Sequence, residues 1–301
     1  MGRRHRRLFE EVGVEFVGVA DTSSEAGILL EKVSAGELLP DFVVVASPAV
    51  SHGRYVRAAV ELDLPVLVEK PVVVTVEDAL ECQNLVHGRN AVVFVGHSER
   101  YNPAVADFFE SDFFLKMRRL LECSFAHEKE MPLEFRFTRT HGYSERNRDV
   151  PVELDLMIHD MDLLCHFVGR DRLRFKSFTC AEYTGDRAVA RFDFGRVLST
   201  FVADRSCAMD CRTVEVSMGG RRVTLDLGAY RNVSPAHALQ EEHRAFLNCL
   251  RRSRELAQFE NPDDAWYGKF CDACFAAEMV SLITERMRKG AKSEIETMQD
   301  G

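Results

Sequence analysis

The sequence predicts an α/β protein in two parts. A doubly wound parallel sheet with its first strand missing comes first, and an α+β domain on a mostly antiparallel open sheet follows. Three observations carry this prediction. Over the first hundred residues, helical periodicities alternate with short apolar, β-branched runs such as Phe42-Val43-Val44-Val45-Ala46 and Val92-Val93-Phe94-Val95. Strands apolar on both faces need cover on both, which is the condition of a parallel sheet. Between Leu173 and Leu227 the runs are longer and alternate apolar with polar residues, as in an antiparallel sheet with one wet or partner-covered face.

In order along the chain, a helical pattern at Arg3 to Val12 leads into a strand at Val14 to Ala20, ending at Asp21. A helix at Ser24 to Val33 precedes the Phe42 to Ala46 strand. Next come a helix at Tyr55 to Leu62, a strand at Val66 to Val68, a helix at Val76 to Val86 and the Val92 to Val95 strand. The texture changes near His97 to Asn102, which sets domains at 1–98 and 99–301. From Pro103 to about Glu130 the pattern is helical; Leu133 to Thr138 reads as a strand and Val152 to Val168 as a strong helix. Strands are expected at 174–178, 188–192, 198–202, 213–217 and 222–226, with hairpin turns at Thr184-Gly185-Asp186 and Gly219-Gly220. Helices at Ala238 to Arg254 and Asp263 to Met287 close the chain.

Composition narrows the function classes. The formal net charge of −9 argues against a general nucleic-acid or anionic-membrane surface, since both require positive charge. The basic run Arg3-Arg4-His5-Arg6-Arg7 reads equally well as a solvated helix face or as a local phosphate-facing patch. No apolar run approaches the roughly 20 residues of a membrane span, and Leu8-Phe9-Glu10-Glu11 follows the basic run where a secretion signal would place its apolar core. The nine cysteines are scattered. Their single C-x-x-C, Cys271 to Cys274, lies in a helical pattern with no second ligand pair, so no metal site is expected. Thiols packed in helices imply a reducing compartment, hence the cytoplasm.

Asp21 is the first residue with chemical content. An acid ending the second strand of a dinucleotide fold hydrogen-bonds the adenosine ribose hydroxyls, and its charge repels a 2′-phosphate. Gly2, 19 residues upstream at the start of a helix, fits the last glycine of a G-x-G-x-x-G turn, where the helix N-terminus approaches the pyrophosphate. This makes the first domain Rossmann-like and the cofactor NAD, with NADP left open. The earlier glycines and their strand do not precede Gly2, because the sequence begins at Met1. Each buried, unsatisfied backbone group costs on the order of 1–3 kcal/mol, so losing a central strand would rival a domain's whole stability. The expectation is therefore that the native product starts upstream and that Met1 is an internal methionine or a misassigned start.

Further on, Ala46-Ser47-Pro48-Ala49-Val50-Ser51-His52 follows a buried strand, and proline and small residues there let a cofactor lie close to the backbone. Val68-Glu69-Lys70-Pro71 stands at the mouth of the next strand, where open α/β sheets bind their ligands. Ser47, Pro48, His52, Glu69 and Lys70 thus join Gly2 and Asp21 as cofactor-side candidates. Asp155, His159 and Asp162 are spaced i, i+4, i+7 and would share one helix face.

The S-P-x-x-x-H and V-L-V-E-K-P runs, the Gly96-His97-Ser98-Glu99-Arg100-Tyr101-Asn102-Pro103-Ala104 hinge and the D-x-x-x-H-D-x-D pattern from Asp155 to Asp162 resemble the Gfo/Idh/MocA oxidoreductases. The resemblance covers nearly the full chain, with Phe108 to Glu130 its weakest stretch. It implies that Lys70 is the active-site lysine and that Asp155 and His159 are the catalytic acid and histidine, converging with Lys70. The reaction implied is hydride transfer from a sugar carbinol carbon to the nicotinamide, a base taking the hydroxyl proton. A histidine with pKa near 6.5 needs no tuning, whereas moving a lysine from about 10.4 to about 7.4 costs roughly 4 kcal/mol. Magnitude therefore favours His159 as the base, with Asp155 orienting it and Lys70 bonding the substrate oxygen. The reverse assignment stays open, since positive charge on oxidised nicotinamide would help depress Lys70.

Where the family often has Gly-Gly before this helix, the sequence has Val150-Pro151-Val152-Glu153. The E-R-Y-N-P-A hinge with Arg139 and Gly142 looks most like the branch acting on nucleotide sugars, such as UDP-N-acetylglucosamine 3-dehydrogenases. That makes Arg100, Asn102, Arg139 and Asp162 substrate-side candidates and a sugar or UDP-sugar the small-molecule partner. The competing expectation is a silent or truncated family member acting as a binding or regulatory protein; an enzyme for another substrate, such as inositol, is a third. The antiparallel sheet is expected to form a homodimer or homotetramer surface.

Overall fold

The computed structural model describes residues 1–89, 91–122, 132–142, 150–229, 237–256 and 265–299. The chain divides into two compact units, Met1–Ser98 with Leu239–Ala277, and Glu99–Ala238 with Glu278–Gly301. A second domain running unbroken over 99–301 is thus corrected. Phe246, in the segment that rejoins the first unit, packs against Phe9, Phe42 and Phe94, and sequence spacing carries no trace of so distant a contact.

The first unit opens on α1 (Gly2–Glu11) and α2 (Ser23–Ser34). A capping box starts α2: Thr22 Oγ1 accepts from the Glu25 amide, and Glu25 Oε2 accepts from the amides of Asp21 and Thr22. These backbone bonds hold the exposed Glu25 carboxyl below its ordinary range. β1 (Val43–Val45), α3 (His52–Glu61), β2 (Val66–Glu69), α4 (Val76–Arg89) and β3 (Val93–Gly96) follow. The strands form a parallel sheet in the order β1-β2-β3, with Val44 opposite Leu67 and Leu67 opposite Phe94. Val66, Leu67 and Val68 are all buried, as the unbroken apolar run requires.

Val14 to Ala20, expected as a strand, pairs with no strand among the described residues. Its residues still alternate between half-buried and exposed, and Val17 and Val19 are 52% and 53% exposed. Extended backbone becomes a strand only when a neighbour accepts its hydrogen bonds. β1 likewise pairs along one edge, with β2. The sheet's parallel, helix-connected character is as expected.

In the second unit a 3₁₀ turn over Ser98–Tyr101 leads to α5 (Pro103–Glu110), which is N-capped by the Asn102 side chain and opened by Pro103. Ser111 ends it and caps α6 (Asp112–Glu122), its Oγ accepting from the Phe114 amide. The expected helix to about Glu130 is therefore two helices, and its last part lies outside the described residues. β4 (Leu133–Thr140) follows; then comes a π turn over Glu153–Met157, which runs into α7 (Ile158–Val168). β5 (Ser177–Tyr183), β6 (Arg187–Asp193), β7 (Val197–Asp204), β8 (Cys211–Met218) and β9 (Arg221–Asp226) complete a sheet ordered β5-β6-β7-β4-β8-β9. Only β4 and β7 run parallel.

The strand expected at 174–178 begins three residues later, where pairing with β6 starts at Ser177 opposite Asp193. On β4, Leu133, Phe135 and Phe137 point inward and Glu134 and Arg136 outward. Phe137 stacks on Phe201, and Phe135 on Phe167 of α7. Two further helices are α8 (His237–Leu256) and α9 (Ala265–Gln299). Among the described residues no helix is long and apolar enough to cross a membrane.

Candidate active site

In the first unit the candidate residues gather at the carboxyl edge of the parallel sheet. A parallel sheet aims the ends of all its strands at one edge, so the loops after β1 and β2 meet there. His52, at the start of α3, joins them. Its Nδ1 lies 2.7 Å from the Pro71 carbonyl oxygen and its Nε2 2.8 Å from the Ser47 carbonyl oxygen. Both neighbours are acceptors, so a neutral ring donates to one and a protonated ring to both. His52 is buried and ties the Ser47-Pro48 loop to the Lys70-Pro71 turn. Ser47 Oγ hydrogen-bonds Ser51 Oγ, whose own proton goes to the Pro48 carbonyl. The Lys70–Pro71 peptide is cis.

Glu69 ends β2 and is nearly buried. Burial pushes its carboxyl up, but the hydrogen bond and charge of His5, with Lys70 and His52 beyond, more than offset this and hold it below the usual range. His5 Nε2 lies 2.6 Å from Glu69 Oε1. Gly2 begins α1, and a Cβ there would meet the Ala46 Cβ at 3.9 Å, an ordinary contact. The N-terminus of α1 thus adjoins the end of β1. Asp21 is exposed, and its backbone amide serves the α2 cap.

In the second unit the D-x-x-x-H-D-x-D stretch bridges the π turn and α7. A π turn closes i→i+5 bonds, so its residues advance more slowly around the axis than in an α-helix. The i, i+4 relation assumed between Asp155 and His159 is therefore interrupted at Met157. Asp155, Asp160 and Asp162 are buried and His159 half-buried. Each acid has its own arginine. Arg205 lies 3.7 Å from Asp155 and also bonds Asp186 and the Val150 carbonyl. Arg100 grips Asp162 with two bonds of 2.6 and 2.8 Å. Arg139 donates to Asp160 Oδ1 through Nε and Nη2 and to Glu99 Oε1 through Nη1.

Glu99 also accepts from Arg212 and Asn102, and Asn102 donates further to the Leu227 carbonyl. Burial raises Glu99, but Arg139, Arg212 and Asn102 outweigh it and keep the group ionised. Asp160 moves the other way. Burial dominates, Oδ1 takes both Arg139 bonds and Oδ2 is buried without a partner, so its carboxyl is raised. Opposed by burial but favoured more strongly by two carboxylates, the Arg139 guanidinium is held more firmly charged than usual. Glu153, two residues before Asp155, is buried, accepts from Tyr183 and Thr284, and is raised by burial.

The structure therefore brings together Ser47, Pro48, His52, Glu69 and Lys70 at one sheet edge. In the second unit it commits Arg100, Asn102, Arg139 and Asp162 to protein partners. Sequence reading missed His5, His243, Glu99, Asp160 and Arg205. Glu99 and Asp160 stand inside the quoted motifs, and an acid beside a motif arginine was the available signal; His243 gave none.

Residues 2–97 match the Gfo/Idh/MocA family model, described as an oxidoreductase family with an NAD-binding Rossmann fold. The chain is 22% identical over 238 residues to a UDP-N-acetylglucosamine 3-dehydrogenase of Acidithiobacillus ferrooxidans, covering 75% of this chain and 71% of that one. It is 25% identical over 135 residues to a scyllo-inositol 2-dehydrogenase (NAD(+)) of Bacillus subtilis, 44% of this chain and 36% of the other. A solved structure of the Acidithiobacillus enzyme superposes with a TM-score of 0.67 at 20% identity over 93% of both chains. The WlbA (WbpB) dehydrogenase of Thermus thermophilus, in complex with NAD and UDP-GlcNAcA, superposes at 0.61 with 15% identity over 93% of this chain and 90% of that one. At these identities the structural likeness establishes the fold.

Proposed function

We propose that this chain, whose residues 2–97 match the Gfo/Idh/MocA oxidoreductase family model, transfers a hydride between a hydroxyl-bearing carbon of a sugar or nucleotide sugar and NAD. The observation that carries the reading is the carboxyl edge of the parallel sheet, where Ser47-Pro48 and Glu69-Lys70-Pro71 follow β1 and β2 within the stretch matched to an NAD-binding family. The residues present fit a dinucleotide. The N-terminus of α1, with its unpaired N–H groups and positive dipole end, adjoins the small residues Ala46 and Ser47. Gly2, Ser47 and Pro48 would hold the pyrophosphate, Asp21 the ribose hydroxyls, and Glu69 and Lys70 the nicotinamide end. His52 acts from behind, by fixing the two loops. When bound, NAD supplies the hydride acceptor.

In this reading His159 takes the hydroxyl proton, Asp155 stabilises the charge that results, and Lys70 hydrogen-bonds the oxygen as it becomes a carbonyl. Arg100, Asn102, Arg139 and Asp162 form a charge-matched frame on the substrate side. The longer match to a UDP-N-acetylglucosamine 3-dehydrogenase than to an inositol dehydrogenase puts UDP-sugars first among substrates. The reading extends to a homo-oligomer through the wet face of the six-stranded sheet in a reducing, cytoplasmic setting.

The test is NADH fluorescence titration followed by NADH production with UDP-N-acetylglucosamine and with scyllo- or myo-inositol. Binding and turnover are expected, and Lys70→Met and His159→Asn should each lower kcat by on the order of a hundredfold or more. Failure of the chain to bind NADH overturns the reading.

A further inference from the structure

Three ionisable side chains lie against one another behind the end of β2. His5 of α1 stands between the other two: its Nε2 is 2.6 Å from Glu69 Oε1, and its Nδ1 is 2.7 Å from Nε2 of His243 on α8. His5 and His243 are 1% and 2% exposed. Phe9 stacks on the His243 ring at 3.9 Å and 4°, within the cluster that holds Phe42, Phe94 and Phe246. Buried polar groups destabilise a fold unless each finds a partner, and His243 Nδ1 finds none. A further phenylalanine would fill that position with no bare nitrogen, so packing alone does not explain the chain of three.

The proton count is informative. The Glu69 carboxylate accepts from His5 Nε2–H, and the Nδ1···Nε2 contact holds one further hydrogen. If that hydrogen belongs to His5, the ring is an imidazolium and balances Glu69. If it belongs to His243, both rings are neutral and Glu69 is balanced from its other side. The charged or ionisable groups facing the carboxylate there are Lys70 and His52. On α8 the neighbour of His243 is Glu242, which faces Gly96 of β3. The aromatic rings contribute no charge. Whichever proton arrangement holds, His5 decides how strongly Glu69 draws on the Lys70 ammonium one residue away.

We infer that His5 is a positioning residue for Lys70: it anchors the Glu69 carboxylate and with it the Lys70-Pro71 turn, and His243 fixes the His5 ring. The inference rests on the reading of Lys70 as a substrate-contacting residue of a dehydrogenase. Removing the His5 imidazole frees Glu69 to pair with Lys70, which pulls the ammonium off the substrate oxygen. In the proposed reading the pyrophosphate and ribose of NADH rest on Gly2, Ser47, Pro48 and Asp21, which the substitution leaves in place, so the loss falls on kcat.

The test uses the full chain. In His5→Ala kcat falls on the order of tenfold to a hundredfold, the size of a small misplacement in an active site. Its pH–kcat profile shifts, while the NADH dissociation constant changes less than about threefold on the same reasoning. His5→Gln, whose amide can still donate to Glu69, recovers most of kcat. Unchanged kcat and pH profile in a folded His5→Ala overturn the inference while leaving the dehydrogenase reading intact. If His5→Ala does not fold, His243→Phe, which keeps the stack on Phe9, decides by the same two readouts. A wild type that binds no NADH overturns the dehydrogenase reading instead. In that case the network is still judged by nitrogen NMR of histidine-labelled protein. Coupled ring nitrogens that both respond to Glu69→Gln support it, and two rings titrating independently overturn it.

Discussion

Acid should destabilise the first unit through His243. Burial is the largest cause that lowers its pKa from 6.5 to about 4, the His5 charge adds to the lowering, and Glu69 opposes it. A folded-state pKa below the unfolded one means that the unfolded chain binds more protons in this window. The stability is therefore fully present above about pH 6.5 and is lost as pH falls toward 4. The complete shift corresponds to about 3 kcal/mol, and about 2 kcal/mol of it is gone by pH 5. Glu69, whose carboxyl is lowered, loses its own contribution only below the ordinary carboxylate range, so the two windows separate. Urea unfolding followed by circular dichroism at pH 7.5, 6 and 5 would compare the wild type with His243→Phe. The variant should be less acid-sensitive by about 2 kcal/mol between pH 7.5 and 5, with m unchanged. Equal pH slopes for the two proteins would refute the argument, because they would mean that the ring is solvated or already paired.

Three further outcomes follow from packing and charge. Arg139→Met leaves Glu99 and Asp160 buried without their shared cation and should cost about 3–5 kcal/mol of unfolding free energy in urea. Phe9→Ala removes the ring that His243 and three phenylalanines touch; chemical denaturation should show a loss of about 3–5 kcal/mol. Gly169 ends α7 at φ 86°, and a Cβ there would meet the Arg172 guanidinium at 2.9 Å. Gly169→Ala should destabilise by about 1–3 kcal/mol in a calorimetric melt, chiefly from the backbone, since the arginine end can move.

Local patterning carried the element types. Val66 to Val68 is apolar on both faces because it is the middle strand of a parallel sheet, and β4 alternates because one of its faces is wet. What local patterning lacks is the partner. Val14 to Ala20 has the composition of a strand, yet strand state depends on a neighbour elsewhere. The start of β5 is fixed by its register with Asp193 and not by the propensity of Arg174 to Phe178. The same blindness hid the return of Leu239–Ala277 to the first unit, because Phe246 reads as any apolar position on an amphipathic helix until Phe9 and Phe42 are placed beside it.

At the candidate site, the motifs named the groups but not their balance. Asp155, Asp160 and Asp162 read alike on the page, as acids on a helix beside a histidine. In the fold each meets a different arginine, Arg205 just after β7, Arg139 on β4 and Arg100 in the turn before α5. Those pairings are 50, 21 and 62 residues apart in sequence, beyond any local periodicity. Removing any one of these arginines leaves a buried carboxylate without its cation, a loss of about 3–5 kcal/mol. His159 is more exposed than the three acids. In the proposed reading His159 carries the proton, while each of the three acids around it in the sequence is already held by an arginine.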